Sequence, residues 1–99
     1  MGLLYEVEIK RDVAQKTAAL TALERGLRGW TGGAPVPVAE LMAALEEARA
    51  AVRDGAVCLE NHFGGLIPLD AETLGDILLL LRAADAVVGR VSEAMTPRR

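Results

Sequence analysis

Aromatic rings are scarce in this chain: Tyr5, Trp30 and Phe63 are the only three among 99 residues. Any core must therefore be filled by Leu, Val and Ala. Cys58 is the only cysteine, which excludes an intramolecular disulfide. The longest run of large apolar residues, Ile77 to Leu81, is far too short to cross a bilayer. Basic stripes are lacking as well. The net charge is −3, and the only basic clusters are Lys10-Arg11 and Arg98-Arg99. Nucleic-acid backbones are held by clustered Lys and Arg, so no nucleic-acid partner is expected, and no membrane partner either. With one histidine, His62, and one cysteine, the chain also lacks the groups that acid–base or nucleophilic catalysis requires. Glu6 and Glu8 follow Met1–Leu4 at once, so no apolar signal core forms and a cytoplasmic location is expected. Arginine outnumbers lysine nine to two, which points to a GC-rich, bacterial or phage origin.

What the chain does have is Leu, Val and Ala at helical spacing. Hydrophobic residues make up 52% of it, and its length is that of one domain. Ile9, Val13, Leu20, Leu23, Leu27 and Trp30 fall at heptad spacing, with Lys16 as the one interruption. This predicts a helix over about 11–28. Residues 3–10 read equally as helix or strand, because Tyr5 to Lys10 alternates apolar and polar. Gly29 to Pro37 ends the first helix, since glycines stop it and prolines prevent its resumption. Val38, Leu41, Leu45, Ala48, Val52, Ala56, Leu59 and Phe63 form a second stripe. It predicts one helix over 38–63 with a weak point at Asp54-Gly55. Gly64 to Leu69 is the second connector, whose Leu66, Ile67 and Leu69 should tuck against the bundle end. Asp70 is a natural N-cap for a third helix over 71–94.

That third helix carries the strongest pattern. Leu74, Ile77, Leu81, Ala84, Val88, Val91 and Met95 alternate at three- and four-residue steps. Leu78, Leu80 and Val87 widen the stripe to about half the circumference. So broad an apolar face needs cover on more than one side. The expected fold is all-α, a three-helix up-down-up bundle completed by self-association. Leu74, Ile77, Leu78, Leu81, Val88 and Val91 are the expected interface. Trp30 and Phe63 are expected to cap the ends of the core.

Few residues invite chemistry. Cys58 and His62 stand four apart on one helix face, with Glu60 between them, and could bind a metal or small ligand. A structural zinc site needs four ligands, so none is expected from this pair alone. Asp85 falls inside the apolar arc of the third helix, where a carboxylate must be paired or solvated. Arg25, Arg49 and Arg53, from another helix or another subunit, are its candidate partners. Glu46-Glu47 and Glu72-Asp76 lack the histidines of a di-metal bundle and read as solvated faces. Gly32-Gly33 has no Lys-Ser/Thr after it, so there is no P-loop. No cofactor is expected.

Trp30-Thr31-Gly32 lies in the turn after the first helix of a chain of about 100 residues. In this it resembles the WXG100 family of small helical-hairpin dimers exported by type VII secretion. The resemblance implies a two-helix hairpin and a secreted substrate. Two features depart from the family: a Gly-Gly…Pro break splits the remainder into two helices, and its C-terminal Tyr-x-x-x-Asp/Glu signal is absent. The reading that absorbs most of the sequence is a non-enzymatic interaction module. It would be a small homo-oligomeric scaffold or accessory subunit, foremost a dimer, with a heterologous protein as the other possible partner.

Overall fold

The computed structural model describes the backbone of residues 2–30 and 35–96, with side chains from Val7 onward. Three helices account for most of it: α1 (Gly2–Gly29), α2 (Val38–Phe63) and α3 (Ala71–Met95). The alternating segment 3–10 is helical and continues α1 without a break. A strand there would need a second strand to pair with, and the described residues contain none.

Ion pairs fix the directions of the helices. Lys10 Nζ lies 3.5 Å from Asp70 Oδ2 and 3.7 Å from Glu72 Oε2, where α3 begins. Further along, Arg90 meets Glu24. Helices α1 and α3 are therefore parallel, and α2 runs against both. The bundle is all-α, 54 Å long and 20 Å across. Helix α3 packs on both neighbours, whereas α1 and α2 touch each other only lightly.

The core runs along α3. Thr73, Ile77, Leu80, Ala84, Val87 and Val91 are its buried residues, meeting Val13, Leu20 and Leu27 of α1 and Leu41, Ala44, Ala48 and Ala51 of α2. Gly55 is buried too, and α2 passes straight through it. A methyl group at Gly55 would sit 3.1 Å from Leu81 Cδ2 and 3.6 Å from Ile77 Cγ2. The glycine lets α2 and α3 approach closely.

The connector after α2 is built from backbone bonds. Gly64 N–H donates to Glu60 O at 2.8 Å and Leu66 N–H to Asn61 O at 2.9 Å. Gly65 takes a positive φ of 78°, which glycine adopts without a Cβ clash. Asp70 caps α3, its carboxylate accepting from Thr73 N at 2.8 Å. Hydrogen bonding from Thr73 holds the Asp70 carboxyl below the usual carboxylate range.

Several expectations need correction. Trp30 is 40% exposed and Phe63 78% exposed, so neither caps the core. Each stands at a helix end, Trp30 just after α1 and Phe63 as the last residue of α2. Of the connector residues, Leu69 is buried and Ile67 half-buried, but Leu66 points outward. For Asp85 the solvated alternative holds within the chain: it is exposed and joins no ion pair among the described residues, and Arg49 pairs with Glu46 at 3.9 Å.

Candidate interaction surface

The expected interface residues divide into three groups. Ile77 and Val91 are buried inside the protomer. Leu74 and Leu81 are half-buried and packed against the core. Leu78, 51% exposed, and Val88 lie outside. The buried side of α3 is thus turned toward Leu80 and Val87, away from the Leu81–Val88 half of the stripe.

Helix α2 is turned the same way. Its buried row is Ala44, Ala48, Ala51 and Gly55 below Leu41. Val38, Met42, Val52 and Phe63 are exposed. The seam is made of small residues, and larger ones are left outside it.

These outward residues share one face. At about 100° per residue, Val38, Leu45, Val52, Ala56 and Phe63 project within one narrow arc of α2. Asp54, which meets Lys16 of α1, points almost directly away from that arc. On α3, Leu74, Leu78, Leu81 and Val88 project together, and Arg90, which meets Glu24 of α1, points to the far side. Both apolar arcs therefore lie on the side of the α2–α3 hairpin opposite α1. Within them Val38, Val52, Phe63, Leu78 and Val88 are exposed, whereas Leu45, Leu74 and Leu81 are half-buried against the core. Exposed apolar side chains gathered on one face are a mark of an interaction surface.

The face also carries charge. Gly55 stands level with Ile77 and Leu81. Six residues back along α2 is Arg49, and six on along the antiparallel α3 is Asp85. The two lie level, on opposite sides of the face.

A second feature lies between α1 and α2, a groove of about 270 Å³ walled by Ala19, Ala50 and Ala51 and rimmed by Lys16, Glu47 and Asp54. Lys16 is already held by Asp12 at 2.8 Å and by Asp54. These carboxylates, Asp12 foremost, raise its ammonium above the usual range. No unpaired cation is left to recruit a ligand there.

Cys58 and His62 are both half-buried on α2. His62 Nδ1 accepts a hydrogen bond from Leu69 N at 2.9 Å, tying the connector to the helix end. The ring also meets Phe63 edge-on, with centroids 5.1 Å apart. Burial, helped by the charge of Asp54, pushes the Cys58 thiol up, away from a reactive thiolate. Glu60 is exposed. Among the described residues no three His, Cys, Asp or Glu side chains gather as a metal site. No described helix is long and apolar enough to cross a membrane.

Sequence reasoning missed Glu24. It is a carboxylate only 8% exposed, held by Arg28 and Arg90. Its position between Leu20 and Leu27, one helical turn from each, was the available signal. Thr31 and Gly32 lie outside the described residues, and the three-helix order differs from the two-helix hairpin that Trp30-Thr31-Gly32 implies. Compared with known proteins, the chain matches no family model, no curated sequence and no solved structure.

Proposed function

We propose that this protein is a non-enzymatic interaction module whose α2–α3 face binds a second copy of the chain. One observation carries the reading: Val38, Met42, Val52, Phe63, Leu78 and Val88 stand outside, while alanines and a glycine fill the α2–α3 seam. Burying that face removes apolar surface from water, the main favourable term in association. Its size suits the purpose. Helices of 26 and 25 residues are about 39 Å long at 1.5 Å per residue. With the molecule 20 Å across, such a face has room for the roughly 800 Å² that each partner gives to a standard interface. In this reading the protein is a small bacterial or phage scaffold or accessory subunit. It works in the cytoplasm, where Cys58 stays reduced.

The test is solution mass by light scattering across a dilution series, on the unmodified chain and on a Leu78→Glu/Val88→Glu variant. The unmodified chain should have the mass of two chains. The variant should have the mass of one, with unchanged helix content by circular dichroism, because both positions are outside the core. A single-chain mass for the unmodified protein at every concentration overturns self-association and leaves the face to a different protein.

A further inference from the structure

Resting on the reading of the α2–α3 face as a self-interface, we infer the symmetry of the pair: a two-fold axis parallel to the helices, with Asp85 of each copy against Arg49 of the other. The charge distribution on the face points to it. Arg49 stands on the α2 side and Asp85 on the α3 side, level with each other, because Gly55 is level with Ile77 and Leu81 and the helices are antiparallel. Both side chains are exposed. Asp85 joins no ion pair among the described residues, and Arg49 has only the 3.9 Å contact to Glu46 on its own helix.

A rotation about an axis parallel to the helices keeps height and exchanges sides. It lays α2 of one copy over α3 of the other, so Arg49 arrives over Asp85 twice. Every neighbouring pair in the resulting four-helix layer is antiparallel, as in an up-down bundle. An axis across the helices instead lays α2 over α2 and α3 over α3. Like charges then meet near the middle of the face, which disfavours that orientation. In the favoured pairing α1 of each copy lies on the outside and remains as it is in the single chain.

Charge exchange tests the inference on the full-length chain. Arg49→Asp should place two acidic groups opposite each other at both contacts and weaken association about tenfold, as should Asp85→Arg. The double variant Arg49→Asp/Asp85→Arg restores both pairs in reversed polarity and should associate within about threefold of the unmodified chain. The loss in the single variants should shrink in 1 M salt. With the axis across the helices, the single variants only replace one like-charge contact by another and should associate as the unmodified chain does. Single variants that leave the affinity unchanged, or a double variant that fails to recover it, overturn the parallel axis while self-association stands. If the unmodified chain has a single-chain mass throughout, the interface itself falls, and the axis with it.

Discussion

Arg90 on α3 donates from Nε to Glu24 Oε1 on α1 across 2.9 Å, and the same oxygen receives Arg28 from one turn further along α1 at 2.6 Å. A nearly buried carboxylate is thus held by two guanidinium groups, and one of them reaches it from another helix. The pairing pins the C-terminal half of α1 to α3, while Lys10 with Asp70 and Glu72 does the same near its start. Paired charges at both ends define the parallel register of α1 on α3, which apolar contacts alone specify loosely.

The two arginines, Arg28 foremost, hold the Glu24 carboxyl below its ordinary value. Because the folded value is depressed, the stabilisation is present above the ordinary glutamate range and is lost as pH falls through the folded value. Glu24→Gln should therefore lower the urea midpoint at neutral pH. The gap to the unmodified chain should close in acid, below the ordinary glutamate range. Asp70 is depressed as well, so the variant keeps part of the acid slope. A gap that stays constant with pH would show that Glu24 acts through packing and not through its charge.

Much of the fold is legible in the chain because helical spacing is local. Gly and Pro clusters between 29 and 37, and from Gly64 to Pro68, mark where each helix must stop. The rotation of α2 and α3 is not legible, for a physical reason. An apolar arc covering half a helix fits a core along either edge, and bulk favoured the edge carrying Leu81 and Val88. In the structure the fully buried row runs through Leu80 and Val87, Leu81 is half-buried against Gly55 and Val88 is exposed, while small residues, Ala44, Ala48, Ala51 and Gly55, form the α2 seam. Asp85 lies inside the apolar arc of α3, on its outward half. The pairing of Glu24 with Arg90 spans 66 residues, and no local pattern reports it.

The division of α3 into an inner and an outer apolar row gives two unlike outcomes for the same substitution. Leu80 is fully buried inside the protomer. Leu80→Ala should cost about 2–5 kcal/mol of folding stability through lost contacts and the cavity left behind. Leu78 is on the outer row. Leu78→Ala should leave the folding of the single chain within about 0.5 kcal/mol and weaken association. Urea unfolding at high dilution and scattering mass at high concentration separate the two effects. A large folding loss from Leu78→Ala would mean that its side chain already supports the core.

Gly55 sets how close α2 comes to α3. Alanine there gains about 1 kcal/mol of helix propensity, and its methyl comes closest to the end of the Leu81 side chain, 3.1 Å from Cδ2, with Ile77 Cγ2 at 3.6 Å. Leu81 is half-buried and can swing outward. Gly55→Ala should thus fall within about 1 kcal/mol of the unmodified chain. Gly55→Val cannot be absorbed by one side chain and should cost about 1–3 kcal/mol. Denaturant unfolding of both at one fixed protein concentration checks this, because association would otherwise shift the midpoint. A destabilisation by alanine as large as that by valine would show that Leu81 is held rigidly.

Cys58 should be a sluggish nucleophile. Its thiol is raised first by burial and then by the charge of Asp54, with Lys16 pulling the other way. The thiolate is the reacting form, so a raised thiol reacts slowly near neutrality. Alkylation by iodoacetamide at neutral pH should run several-fold slower than for a free cysteine, and urea should restore the ordinary rate. Asp54→Asn removes a negative charge that disfavours the thiolate and leaves Lys16 nearby. It should speed the reaction, provided circular dichroism shows the fold intact. A folded chain that alkylates as fast as free cysteine would contradict the burial argument, and would reopen Cys58 with His62 as a reactive pair.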